Sequence, residues 1–470
     1  MADHEDPGAA LAGLVDVAAL TRWLDGQGFA GGPVESLAPL AGGTQNLLVR
    51  FCRGGTAYVL RRPSRHPRPR AGETILREAR VLEALAGTDV PHPRWAATCA
   101  DDSVLGVPFF VMRAVDGVNP MVRRPACAQT AGGRRQLVHA AATELARIGR
   151  VDYVAAGLGD LGHPQGFLSR QVPRWLAEWE SYRQLPGYPG EPLPGMDALA
   201  AFLDGHRPPD GRPGLMHGDY HLGNLLVDVS QPQITAVLDW EMATIGDPLV
   251  DLGRFLVSLP DEHETADPAG APWAAGDIGP ASDIVAAYAD ASDRGLDALD
   301  WYVVLACFKL GIILESSHAR ACAGLTDHAT GDRLLDSGAR AAYLAGIRSA
   351  ADRRGVGIVL NARIDAIIRH PQRDPAAAMD EVLRRARLYL EAGADCVYPI
   401  GLRDAGLVAQ IVGELHRPVN VNPSEPLADL AEAGAARISL GGGVHNWMMG
   451  ELERRARRIL AGDATAFTSG

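Results

Sequence analysis

One stretch restricts what this chain can fold into more than any other: Leu215–Asp228, LMHGDYHLGNLLVD. It sets a His-Gly-Asp step, then an Asn five positions after the Asp, then an apolar run that reads as a strand. A second acid sits on the next apolar run, in Ala236-Val237-Leu238-Asp239-Trp240-Glu241. Asp219 can take a proton from a hydroxyl. Asn224 and Asp239 offer hard oxygens of the kind Mg²⁺ accepts. An acid for the proton and two oxygen ligands, on neighbouring apolar runs, are the parts that phosphoryl transfer needs. His217 joins Asp219 as a catalytic-loop residue, in an orienting more than a reacting role.

The residues before this stretch supply partners for it. A helix is predicted over Val15–Gly28, then a β-hairpin of Thr44–Phe51 and Ala57–Arg62 around Gly54-Gly55. Ala41-Gly42-Gly43-Thr44 leads into the hairpin, and such a Gly turn can lay its backbone over phosphates. Val59 and Arg61 share one face of the second strand, because side chains alternate. Lys309 is the only lysine in the chain, so a cation on a strand has to be Arg. The helix predicted over Ile75–Ala86 places Glu78 within reach of the sheet. An Arg61–Glu78 ion pair would fix the cation over nucleotide phosphates. The segment Arg61–Arg70, RRPSRHPRPR, reads either as a solvated loop or as a docking patch for an anionic substrate. Val107–Val115, which carries Met112, reads as a buried strand connecting a small sheet lobe to a helical lobe, its backbone free to bond an adenine ring. Helices are predicted over Gly133–Arg150, Leu168–Tyr182, Met196–Asp204, Asp283–Ala291 and Leu299–Arg320. Asp247 before Pro248 fits a helix cap, and Asp251 reads as structural.

The formal charge of −12 argues against general nucleic-acid binding. Six scattered cysteines with no CxxC pair suggest neither zinc nor a disulfide framework. No run is long and apolar enough for a membrane span, and the acidic N-terminus lacks the order of a signal peptide. The expectation is a cytoplasmic protein acting on a small molecule.

Residues 10–330 resemble the aminoglycoside phosphotransferase-like kinases, in the branch found at the N-terminus of some acyl-CoA dehydrogenase fusion proteins. The residues that carry the likeness are Gly42-Gly43-Thr44-Gln45-Asn46, Tyr58–Arg62, Arg77–Leu82, His217–Asn224 and Asp239-Trp240-Glu241, with Leu158–Gly162 and Arg170–Trp175 at branch level. The resemblance implies a two-lobed α+β kinase fold over about 1–335, with a small lobe near 30–115 and a helical lobe near 116–335. It implies ATP or GTP between the lobes, with Mg²⁺. Gly42, Gly43, Thr44, Val59, Arg61, Glu78 and Met112 would then contact the nucleotide. Asp219 would be the base, Asn224 and Asp239 the metal ligands, and Glu241 an addition to the metal shell. Arg61 stands where many kinases have Lys. The branch also implies a hydroxyacyl-CoA-like or other anionic acceptor, which the basic loop suits better than an antibiotic acceptor.

From about Ser337 the pattern becomes alternating strand and helix, which means a parallel sheet. Strands are predicted over Gly357–Asn361, Cys396–Ile400, Val419–Val421 and Arg437–Leu440. Helices are predicted over Pro375–Gly393, Asp404–Leu415, Pro426–Ala433 and Val444–Ala461. Leu360–Ala366, Ala392–Pro399, Pro418–Pro423 and Ala436–Gly442 resemble the second half of the phosphoenolpyruvate mutase and isocitrate lyase superfamily. That likeness implies half of a (β/α)8 barrel over 336–470, with Arg363 and Asn422 at an anion site. Half a barrel has two open edges, to be closed by homodimerisation, by the kinase lobe or by opening into a layered sheet. The competing readings are a lyase or mutase carried by this segment, and a non-catalytic binding protein.

Overall fold

The computed structural model describes residues 14–40, 46–65, 70–188, 196–259, 278–324, 348, 359–364, 366–369, 374–422 and 426–439. The chain divides into two compact units, 1–190 with 197–337, and 191–196 with 338–470.

The first unit opens with helix α1, Val17–Gly26, whose first turn is capped by Asp16 Oδ1 accepting from Ala19 N at 2.9 Å. An antiparallel sheet follows: β1 Glu35–Pro39, β2 Asn46–Arg53, β3 Thr56–Pro63, β4 Trp95–Cys99 and β5 Phe109–Arg113. Its spatial order is β1-β2-β3-β5-β4. The sheet has two different faces because residues alternate along each strand. Val49, Phe51, Tyr58, Leu60, Phe109 and Val111 pack with Leu20 and Leu24 of α1 into one core. The opposite face carries Val59, Arg61 and Met112. Val59 sits directly across from Met112, and Arg61 across from Phe110. Helix α2, Ala71–Leu85, packs there and buries Ile75, Glu78, Ala79 and Leu82.

Two strands escape the sequence reading. Glu35–Pro39 and Trp95–Cys99 are short edge strands without a sustained apolar alternation. A second correction concerns the basic loop. Arg62 is buried and donates to the carbonyls of Leu14 and Leu105, and Arg61 is buried too. Neither belongs to a solvent-facing patch. Residues 66–69 of that loop lie outside the described residues.

The helical part of this unit comprises α3 Ala131–Arg150, α4 Gln171–Ser181, α5 Met196–Gly205, α6 Leu249–Ser258, α7 Ala281–Asp290 and α8 Leu299–Cys322. Helices α6 and α8 approach closely at Gly253, where a Cβ would meet the Tyr302 carbonyl at 2.5 Å. Two small antiparallel pairs, β6 Gly214–Met216 with β9 Thr244–Gly246 and β7 Leu225–Val227 with β8 Ile234–Val237, frame the loop 217–224.

In the second unit β10, Asn361–Ile364, pairs parallel with β11, Cys396–Pro399. A parallel bridge joins Val397 to Val419, and β12, Asn420–Val421, pairs parallel with β13, Arg437–Ile438. Helices α9, Met379–Glu391, and α10, Ala405–Leu415, bury Val382, Leu383, Ala386, Val408 and Ile411 against this sheet. Of the strand predicted over Gly357–Asn361, residues 357 and 358 lie outside the described residues. Leu360 N donates to the Asp395 carboxylate at 2.7 Å, so the ladder begins at Asn361, where the predicted strand ends. The helix predicted over Val444–Ala461 lies outside the described residues.

Candidate active site

The site is built from the loop upward. His217 is fully buried, and its Nε2 lies 2.7 Å from the Leu238 carbonyl. A carbonyl only accepts, so Nε2 carries the proton and Nδ1 is free to accept from Asp219 N, at 3.3 Å. Burial pushes the imidazole below its ordinary pKa and keeps it neutral, against the pull of Asp251. With both nitrogens used inside the loop, His217 orients the backbone before Asp219. Asp251 near the start of α6 accepts from His217 N at 2.6 Å and from Gly218 N at 3.1 Å. Gly218 has φ +89°, and a Cβ there would run into Met242. Asp247 accepts from Leu249 N at 3.1 Å and from the Tyr302 hydroxyl at 2.7 Å, which caps α6 and anchors it to α8.

Asp219 emerges from this buttressed backbone into partial exposure. Its Oδ1 is 3.2 Å from Arg254 NH2 and its Oδ2 is 3.4 Å from His221 Nε2. Burial would raise this carboxyl, but the His221 hydrogen bond and the Arg254 charge hold it well below the usual carboxylate range. Asn224 Nδ2 donates to the Asp219 carbonyl at 2.9 Å, which leaves Oδ1 as the amide atom available to a cation. Leu238 N donates to the Asn224 carbonyl at 2.8 Å, and this link sets Asp239 beside Asn224. Asp239 itself is left-handed, φ 63° and ψ 61°, a conformation that non-glycine residues hold at a cost.

On the sheet side, Arg61 Nε is 2.7 Å from Glu78 Oε2. Its NH2 is 2.5 Å from Asp239 Oδ1 and 3.3 Å from Glu241 Oε2. Asn46 Nδ2 donates to Glu241 Oε2 at 2.9 Å. Burial alone would lower the Arg61 guanidinium, yet the neighbouring acids Glu78, Asp239 and Glu241 outweigh it and hold it above its ordinary value. Glu78 is pushed up to about 8, chiefly by burial, with Arg61 pulling the other way. Carboxylate oxygens of Glu78, Asp239 and Glu241 all lie within 4.8 Å of one another. A set of hard oxygens this close is the donor chemistry of Mg²⁺.

Thus the structure brings Arg61, Glu78, Asp239 and Glu241 together, and it places Asn224 beside Asp219. Val59 and Met112 lie on the same sheet face as Arg61. Gly42, Gly43 and Thr44 lie outside the described residues. Arg254 and His221 were not singled out from sequence. Arg254 stands one helical turn after Asp251, so the same helix face that holds the loop also reaches its acid. Arg77 was seen only as part of a motif. It donates to the carbonyls of Leu161 and Ala243 at 2.8 and 2.6 Å, and Arg80 pairs with Asp160, which explains the Leu158–Gly162 segment as the seat of α2.

In the second unit, Arg363 sits opposite Tyr398 in the ladder, and Asn422 Nδ2 donates to the Tyr398 hydroxyl at 2.7 Å. Asn422 Oδ1 accepts from Gly401 N at 3.2 Å. Asn422 thus bonds the ladder neighbour of Arg363 near the carboxyl ends of parallel strands, where α/β sheets place their ligand sites.

A sheet lobe and a helical lobe, with an acid-bearing loop and a cation over clustered carboxylates, define the class of kinase-like phosphotransferases. The comparisons agree. Residues 36–301 match the model of the phosphotransferase enzyme family, and the chain belongs to that family. Residues 306–460 match the model of phosphoenolpyruvate phosphomutase. A crystal structure from Ralstonia eutropha JMP134, assigned to the aminoglycoside phosphotransferases, is 30% identical with a TM-score of 0.59, covering 72% of this chain and 98% of that one. The GDP complex of a variant aminoglycoside 2'-phosphotransferase-IIIa shares the fold at 16% identity and a TM-score of 0.50, covering 71% of this chain and all of that one. Acyl-CoA dehydrogenase family member 10 of Mus musculus is 32% identical over 183 residues, 39% of this chain and 16% of that protein. Family member 11 of Gallus gallus is 31% identical over 218 residues, 46% of this chain and 27% of that protein. The chain spans less than a third of the length of these curated relatives. Among the described residues no helix is long and apolar enough to cross a membrane.

Proposed function

We propose that the chain is a small-molecule kinase that uses Mg²⁺ and ATP or GTP to phosphorylate a hydroxyl group. The observation that carries this reading is the convergence of Arg61, Asp239 and Glu241, with the Asp239 strand end bonded to Asn224 and, through it, to the Asp219 loop. Asp219 is ionised at neutral pH and partly exposed, so it can accept the proton as the acceptor oxygen bonds to phosphorus. Arg61, locked by Glu78, would hold phosphate oxygens, and its planar fork suits them. Val59 and Met112 offer an apolar face for a base. Asn224 and Asp239, with Glu241, are the residues that would hold Mg²⁺. When bound, the ion neutralises charge on the phosphates. A protein of the same fold is a GDP complex, which fits nucleotide use by this fold.

Calorimetry of ATP and GTP against the full chain, with and without Mg²⁺, tests the reading. Binding should require the metal and should weaken at least about 10-fold in Asp239→Asn, the loss expected for a charged ligand. Failure of both nucleotides to bind the wild-type protein would overturn it.

A further inference from the structure

Two side chains flank the Asp219 carboxylate, and neither has a task in the reaction proposed above. Arg254 NH2 lies 3.2 Å from Oδ1, and His221 Nε2 lies 3.4 Å from Oδ2. Tyr220, between the two loop residues, turns into the core, where its hydroxyl donates to the Ala141 carbonyl at 2.8 Å. His221 is extended, φ −158° and ψ 166°, so its side chain leaves on the side opposite Tyr220, which is the side of Asp219.

The imidazole is aimed by the loop itself. Gly223 N donates to His221 Nδ1 at 3.0 Å. A nitrogen that accepts carries no proton, so the ring proton sits on Nε2, the atom that faces Asp219. Gly223 also makes room for the ring. A Cβ there would stand 2.7 Å from Cε1 and 2.9 Å from Nδ1 of His221, and something would have to shift. Asn119 Nδ2 donates to the Gly223 carbonyl at 2.6 Å and holds that backbone, so the ring is what would swing away. The Asp219 side chain is 40% exposed, and packing does little to fix its rotamer. Asn224 Nδ2 is 3.5 Å from Oδ2 but is given to the Asp219 carbonyl at 2.9 Å. Orientation of the carboxylate therefore falls to Arg254 and His221. An acid that meets an incoming hydroxyl gains rate from being held in one orientation beforehand. Catalytic hydrogen bonds are commonly long at rest and tighten in the reacting complex, which fits the 3.4 Å here.

We infer that His221 is a positioning residue for Asp219: its Nε2–H, aimed by the Gly223 amide, holds Oδ2 so that the carboxylate meets the acceptor hydroxyl in a fixed orientation. The inference rests on the kinase reading above, which makes Asp219 the base. The rival role for His221 is that of a cap alone, with Nδ1 serving the short turn Leu222–Asn224.

Two substitutions separate these roles. Asparagine puts an oxygen near the place of Nδ1 and reaches no further, so His221→Asn keeps the cap and loses the arm. Glutamine puts an amide N–H near the place of Nε2. Release of ADP or GDP is followed with Mg²⁺ and ATP or GTP, with water, glycerol and glycerol 3-phosphate as acceptors. In His221→Asn kcat should fall about 10-fold, the scale of one charge-assisted hydrogen bond, with KM for the nucleotide unchanged. His221→Gln should recover part of that loss. Gly223→Ala should cost as much as His221→Asn, and the double variant no more than either, because both remove one contact. The tautomer is read without turnover. In the full-length chain labelled with ¹⁵N-histidine, the ring signal that His221→Asn removes should be that of an Nε2–H tautomer, and it should move in Asp219→Asn. An Nδ1–H tautomer, a signal that ignores Asp219→Asn, or wild-type kcat in His221→Asn overturns the positioning role and leaves the kinase reading standing. If the wild type releases no ADP or GDP with any acceptor, the kinase reading fails and the role falls with it.

Discussion

Glu78→Gln tests how the cation of the site is held. Glu78 is buried against Arg61 and is pushed from 4.5 up to about 8. Between those values the folded state keeps a proton on this carboxyl that the unfolded chain releases. Stability therefore falls as pH rises through that window, by roughly 1 kcal/mol per pH unit from this one group. The contribution is fully favourable below the unfolded value and is lost as pH climbs through about 8. Glutamine keeps the shape without the proton, and Arg61 retains Asp239 and Glu241 as partners. Urea unfolding followed by tryptophan fluorescence, without nucleotide or metal, at pH 5.5, 6.5 and 7.5, reads the difference. The wild-type protein should lose roughly 1 kcal/mol per unit more than the variant, since only it binds the proton in the folded state. Nucleotide affinity of the variant should fall, because Arg61 loses its lock. Parallel pH profiles for the two proteins would refute the reasoning.

Two further substitutions probe the loop. Gly218→Ala places a Cβ against Met242 at a positive φ, and should lower the thermal midpoint, at a cost of about 1–3 kcal/mol. Asp251→Ala leaves the N–H groups of His217 and Gly218 without their buried acceptor, and should destabilise by about 3 kcal/mol in urea unfolding while also depressing turnover.

The placing of Asp219, Asn224 and Asp239 close together was legible in the sequence because they follow one another at short spacing on neighbouring apolar runs. So was the Arg61–Glu78 pair, since a strand cation and a helix acid solve one electrostatic problem. What surrounds them was not legible. The edge strands Glu35–Pro39 and Trp95–Cys99 draw their stability from neighbours rather than from their own residues, and local pattern misses them. Arg62 reads as a loop cation, yet carbonyls of Leu14 and Leu105 bring it inside. Leu360 was read into the strand, but a side chain, Asp395, takes its N–H, and β10 begins at Asn361. Arg254 and His221 gain meaning only when α6 and the loop 217–224 are side by side.

The central claim is that Asp219 takes the acceptor's proton during phosphoryl transfer. The direct measurement is mass-spectrometric detection of phosphorylated product from a panel of hydroxylated acids and phosphate esters, with Mg²⁺ and ATP or GTP, for wild type and Asp219→Asn. The account predicts product from at least one acceptor and a loss of about 10²–10⁴-fold in the variant, with nucleotide binding retained. Equal turnover by the two proteins with every acceptor would contradict it.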